Sequence, residues 1–142
     1  MKIPLNDTAH WLILIGQGKT ERIYYDSEWE KCDSSIAKFI STYYYSDAVS
    51  NQGKIITTDN IGQKISEYEY SDMKTKAKAK DGICSDYYDT GILRSKVNYR
   101  NGKYHDELAN YYPSGKLKRR ITYNKREMVS GNCYTATGQD TT

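Results

Sequence analysis

Two stretches of this chain, Tyr87-Tyr88-Asp89-Thr90-Gly91 and Tyr111-Tyr112-Pro113-Ser114-Gly115, repeat one pattern at an offset of 24 residues. Self-similarity at a short fixed period means a fold built from copies of one supersecondary unit, and this outranks any local propensity. Each glycine is followed eight residues later by a tyrosine, Gly91 by Tyr99 and Gly115 by Tyr123. A third copy lies upstream, where Gly62 leads to Tyr70, and a shortened fourth runs from Tyr134 to Gly138. Gly62 and Gly91 are 29 residues apart rather than 24, which predicts an insertion within the lysine-rich stretch 74–80.

Inside each unit the residues alternate. Leu93, Ser95, Val97 and Tyr99 recur at every second position, with Arg94, Lys96 and Asn98 between them. Leu117, Arg119, Ile121 and Tyr123 do the same, with Lys116, Lys118, Arg120 and Thr122 between. Period two places the two sets on opposite faces of a strand, the first toward a core and the second toward solvent. Asp89-Thr90-Gly91 and Pro113-Ser114-Gly115 supply turn formers ending in a glycine able to take positive φ. Asn101-Gly102 is a hairpin turn signal. The equivalent place one copy later is Lys125-Arg126, which predicts a looser turn there. The expected fold is therefore all-β: an antiparallel meander of tandem hairpins forming a single extended, twisted sheet. One hairpin is marginal in water, so neighbouring units must stabilise one another, and the end strands remain available to a partner.

Composition agrees with thin sheets. Hydrophobic residues make up 37% of the 142, and 15 of the 18 aromatics are tyrosine. Tyrosine covers apolar surface with its ring and keeps its hydroxyl wet. The upstream part is less regular. Ile23-Tyr24-Tyr25-Asp26 looks like the start of a repeat. Asp33-Ser34-Ser35 suggests a short helical turn near 33–38, and strands are expected through Thr42–Tyr45 and Lys54–Thr58. The expected organisation is a ragged segment 1–20, an irregular β region or cap 21–60, hairpin repeats 61–138 and a tail 139–142, with 136–142 ragged.

Most function classes find no support. The charge of +3, from 21 basic and 18 acidic residues, is too balanced to argue for nucleic acid. Lys74, Lys76, Lys78 and Lys80 look like a solvated edge or loop. Lys116, Lys118, Arg119 and Arg120 form a second basic cluster, read first as a solvated strand face. Three cysteines, Cys32, Cys84 and Cys133, leave at least one thiol unpaired within the chain. A Cys32–Cys84 disulfide and isolated buried thiols are both open. Without a CxxC, and with only His10 and His105, no metal site is expected. Trp11–Ile15 is an apolar run too short for a membrane span or a complete signal peptide. Gly16-Gln17-Gly18-Lys19-Thr20 ends like a phosphate-binding loop but has Ile13 where the first glycine belongs. His105-Asp106-Glu107 reads as a solvated turn. No catalytic residue and no cofactor are expected.

The pattern Tyr-Tyr-x-x-Gly, alternation to a tyrosine, then Asn-Gly-Lys resembles the variant MORN repeat of antitoxin-like repeat proteins, most closely over residues 81–124. In that family a glycine opens the second strand; Gly82 fits, whereas Asp106 holds the matching place downstream. Tyr24-Tyr25-Asp26-Ser27-Glu28-Trp29, the repeats and Gly131–Gly138 together resemble Bacteroidetes envelope proteins in which such repeats precede a TonB-like carboxy-terminal domain. The resemblance implies a non-catalytic protein-interaction or structural module of the periplasm or cell envelope. The alternatives are a cytoplasmic antitoxin that masks a toxin, or a repeat that sets Lys116–Arg120 against anionic headgroups. The partner is expected to be a protein of unspecified identity, with homodimerisation through sheet edges possible. The candidate binding residues are Tyr87, Tyr88, Tyr99, Tyr111, Tyr112 and Tyr123. Within each tyrosine pair, one ring is expected to pack and the other to line the opposite face.

Overall fold

A computed structural model of the chain describes residues 19–46, 49–74 and 79–142. The apolar run Trp11–Ile15, residues 16–18, most of the segment 1–20, and Lys76 and Lys78 lie outside the described residues. The described residues form one nine-stranded antiparallel sheet whose spatial order follows the sequence. The strands are β1 Thr20–Tyr25, β2 Phe39–Tyr45, β3 Gly53–Asp59, β4 Lys64–Asp72, β5 Ala79–Tyr87, β6 Leu93–Arg100, β7 Lys103–Tyr111, β8 Leu117–Asn124 and β9 Glu127–Cys133. One 3-10 turn, Ser34–Ile36, interrupts them where a short helical turn was expected. The sheet is an open meander, with β1 and β9 at its edges.

The repeat is carried by one turn, used five times. In it a residue's N–H donates to the carbonyl four positions on, and the residue three positions on donates back to its carbonyl. The turn is built at 26–30, 59–63, 88–92, 112–116 and 135–139. Its fourth residue has positive φ and is Gly62, Gly91, Gly115 or Gly138 in the last four copies. In the first copy it is Trp29, at φ 63. A left-handed backbone costs a side-chain-bearing residue roughly 1–2 kcal/mol. Trp29 offsets this by stacking on Phe39, with centroids 4.0 Å apart and planes 2° from parallel. The upstream strands therefore belong to the same repeating sheet. The segment 136–142, expected to be ragged, makes the fifth turn instead: Thr141 N–H donates to the Cys133 carbonyl at 2.8 Å, so the chain begins to pair along β9. Short polar side chains with turn-forming geometry hold it there, a signal too brief to stand out from a tail.

At the other end of the hairpins the connections differ in length. Residues 73–78 join β4 to β5, whereas β6–β7 and β8–β9 use two residues each. The lengthening falls where the insertion was expected. The turn Lys125-Arg126, expected to be looser, instead copies Asn101-Gly102. Both residues of each pair have positive φ, 50 and 74 in one, 47 and 80 in the other. Asn124 pairs with Glu127 just as Arg100 pairs with Lys103. Register along the flanking strands overrides the local preference of Lys and Arg.

Three adjacent rows of side chains define the two faces. Directly across the strands run Tyr68, Cys84, Val97, Leu108 and Ile121, an apolar ladder. Cys84, Val97 and Leu108 in it are buried. Toward the connection between β2 and β3 the same face continues into the cluster Tyr45, Ile55, Tyr70 and Met73, flanked by Tyr43 and Tyr68. Two residues toward the repeat turns, this face becomes polar: Ser66, Asp86, Ser95, Asn110 and Arg119. The opposite face carries Glu67, Ser85, Lys96, Ala109 and Arg120 in register. There Ala109 is fully covered, flanked by the long stems of Lys96 and Arg120. Burial in so thin a sheet comes from neighbouring side chains lying over one another, which is why tyrosine suits it.

Strict alternation fails just past the repeat turns. Asp86 pairs with Ser95 but Tyr87 with Leu93, and Asn110 pairs with Arg119 but Tyr111 with Leu117. Arg94 and Lys118 are the extra residues of β-bulges, and each bulge flips the parity of the residues on its far side. Leu93 and Leu117, expected beside Val97 and Ile121, therefore lie on the opposite face with Tyr87 and Tyr111.

Candidate binding groove

The bulges build the best candidate site. On the ladder face, next to the repeat turns, an open groove of about 720 Å³ is lined by Tyr88, Tyr112 and Tyr134, by the cations Arg94, Lys118 and Arg119, and by Asp86, Ser95 and Asn110. Each bulge swings a cation that simple alternation assigns to the solvent face onto the same wall as its neighbour, so Lys118 and Arg119 both line the groove.

Tyrosine hydroxyls tie its repeats together. The Tyr88 hydroxyl donates to the Tyr111 carbonyl at 2.8 Å, and the Tyr112 hydroxyl donates to the Tyr134 carbonyl at 2.7 Å. The same contact is thus made twice, each from one repeat to the next. In the two upstream turns the equivalent residues are Asp26 and Asp59, whose carboxylates accept backbone N–H groups of their own turn. Tyrosine at this position links repeats; aspartate only closes its own turn.

The floor is a chain of polar contacts. The Asn110 amide donates to the Ser95 hydroxyl at 3.2 Å, and Arg119 donates to the Asn110 side-chain carbonyl from Nε and Nη2 at 3.1 and 2.8 Å. The Lys118 ammonium stands 5.5 Å from the centre of the Tyr112 ring. Asp86 is the one carboxylate in the lining, and it already accepts the Tyr68 hydroxyl. Burial, with this bond second, pushes the Tyr68 phenol well above its usual range. The groove thus presents three cations and no uncommitted anion.

Of the six candidate tyrosines, Tyr88 and Tyr112 line the groove with their side chains, and Tyr111 touches it while its own side chain stands on the opposite face with Tyr87. Tyr87 shares a strand face with Ser85 and lies under the Lys64 ammonium at 5.5 Å. Tyr99 and Tyr123 sit at the far end of the ladder face. Each has its centroid 5.4 Å from Tyr104. Burial, with Tyr104 close by, raises the Tyr99 phenol to about 12. The six therefore fall into a groove group, an opposite-face group and a far aromatic row. The second tyrosine of each pair lines the groove face and the first has its side chain on the other.

The basic cluster divides in the same way. Lys118 and Arg119 face the groove, whereas Arg120 lies on the opposite face and pairs with Glu107 at 3.1 Å. The Lys74 ammonium lies 6.0 Å from the Tyr45 ring, and that of Lys80 lies 4.2 Å from Tyr68 and 5.2 Å from Tyr99. Both ammonium groups stand over tyrosine rings, and Lys74 is exposed, as a solvated loop requires. The three cysteines are free thiols, so no Cys32–Cys84 bond is formed. Among the described residues no group of three or more His, Cys, Asp or Glu is placed to hold a metal ion. Alternation assigns Arg94 and Lys118 to the solvent face, away from the groove, because a bulge leaves no mark on an alternating pattern. The one available signal was that cations occupy the same place after successive glycines, Arg94 and Lys118 each three residues on. No family model, curated protein or solved structure matches the chain.

Proposed function

We propose that this chain is a non-catalytic binding module that holds an extended, acidic segment of a protein partner in the groove across its repeats. The observation that carries the reading is the charge of that groove: Arg94, Lys118 and Arg119 against a single carboxylate already engaged by Tyr68. Complementary charge steers encounter and selects partners. Tyrosine rings and amide side chains beside it give contact area at low entropic cost. The resemblance to variant MORN repeats, and to the repeat regions of Bacteroidetes envelope proteins, supports a partner in the periplasm or cell envelope. With Lys116–Arg120 divided between two faces, a headgroup-binding patch there has less support than the groove.

A photo-crosslinking amino acid at position 94 or 118, compared with one at position 96 on the opposite face, tests this directly. The expected result is one protein adduct from 94 and 118, absent from 96 and suppressed by salt. Equal labelling from 96, or adducts indifferent to salt, would overturn it.

A further inference from the structure

We infer a second site, separate from the groove: the tips of hairpins β6–β7 and β8–β9 together take a dianionic phosphate group carried by a soluble ligand. The first observation is conformational. Both tips are two-residue turns with positive φ throughout. Asn101-Gly102 meets that demand with the two residue types that tolerate it best. Lys125-Arg126 meets it with two that do not, and Arg126 sits at φ 80. The flanking register holds this strained backbone in place, and strain of this kind clusters at ligand-binding sites.

The second observation is what those side chains surround. A cavity of about 420 Å³ between the tips is lined by Arg100, Asn101, Tyr104, His105, Lys125 and Arg126. No carboxylate lines it. Among the described residues neither Arg100, Lys125 nor Arg126 has an ion-pair partner. His105 also lines the cavity, with its Nδ1 against the Asp106 carboxylate at 2.7 Å. Two guanidinium forks and an ammonium around one cavity call for more than one negative charge. A carboxylate brings one. A phosphate monoester brings about 1.5–2 at pH 7, together with three acceptor oxygens that suit bidentate arginine. Tyr104, 43% exposed beside the cavity and between Tyr99 and Tyr123, offers a ring to the ligand's organic part.

The test uses the 142-residue chain, with phenyl phosphate and inorganic pyrophosphate as probes and acetate as the control, each measured by titration calorimetry at low salt. The informative variant is Lys125→Asn/Arg126→Gly, which installs the neighbouring hairpin's own turn. Wild type is expected to bind both phosphates and not acetate. The variant is expected to bind them about tenfold more weakly or worse, because charge-assisted contacts are lost. Its melting temperature should nevertheless rise by a few degrees, because the strained turn is relieved. That opposition of signs separates a binding role from a structural one. Absence of phosphate binding, equal binding of acetate, or a variant that binds as wild type would each overturn the proposal. So would binding confined to phosphatidic acid vesicles, which would assign the tips to a membrane surface instead. Should the variant melt lower than wild type, Arg100→Gln, which leaves both turns intact, decides: unchanged affinity overturns the site.

Discussion

Tyr88 and Tyr112 serve the fold with their hydroxyls and the groove with their rings. Removing only the hydroxyl separates these roles. Tyr112→Phe takes away the bond to the Tyr134 carbonyl and should cost about 0.5–1.5 kcal/mol in urea unfolding. Tyr111→Phe, whose hydroxyl makes no such link between repeats, should cost less. Equal losses in the two variants would show that the inter-repeat bond contributes nothing. The sequence revealed that tyrosines mark the repeat and that each pair splits between faces. It could not reveal which hydroxyl reaches the next unit, because that depends on where the following turn closes. Trp29 was equally hidden. Its place is identified by two backbone hydrogen bonds shared with the glycine turns, while its chemistry is unlike theirs.

At the scale of the element, the tandem hairpins and the Asn101-Gly102 turn were legible because period-two patterning and turn chemistry are local. Bulges were not: Arg94 and Lys118 look like ordinary solvent-facing residues until register is known. The position of Leu93 and Leu117 therefore came out on the other face. The last strand carries a testable weakness. The apolar ladder ends at Gly131 opposite Ile121, in an edge strand where glycine contributes no cross-strand packing. A Cβ there would meet the Ile121 side chain at 3.7 Å, an ordinary contact. Gly131→Val should thus stabilise the chain by about 0.5–1 kcal/mol, read as a higher urea midpoint with an unchanged slope. A lower midpoint would mean that the β9 backbone needs the glycine. The contrasting position is Gly53, where a Cβ would run into the Tyr44 carbonyl oxygen. Gly53→Ala should lose stability by roughly 1–3 kcal/mol.

For the whole molecule, stability should fall at both ends of the pH scale for different reasons. Tyr43, Tyr70 and Tyr99 are raised to about 12, and Tyr68 higher still, mainly by burial. A phenol with a raised native pKa is favoured in its neutral form by folding. Its contribution is complete below the ordinary value of 10 and disappears as pH climbs through the native value. Loss of circular dichroism should therefore begin above pH 10 and run together with late tyrosinate absorbance from these buried rings. Fifteen tyrosines titrating in one ordinary step, with the sheet intact, would contradict the packing of the ladder face. At the acid end Glu67 is held below its usual range, chiefly by the hydrogen bond from Lys64 and further by Lys54. Its contribution is present above pH 4.5 and is lost as pH falls through the depressed native value. Glu67→Gln should flatten that part of the profile.

An open nine-stranded sheet leaves both faces accessible, and its function turns on the two faces being unlike. One is a tyrosine- and cation-lined groove; the other carries the ion pairs of Glu67 with Lys54 and Lys64 and of Glu107 with Arg120. The most direct measurement is the affinity of the crosslinked partner for two charge-reversed variants of equal net charge. Arg94→Glu/Lys118→Glu should weaken binding by about tenfold or more, and Lys96→Glu/Arg120→Glu by less than about threefold. Equal losses from both faces, or a larger loss from the second, would contradict the groove as the binding surface.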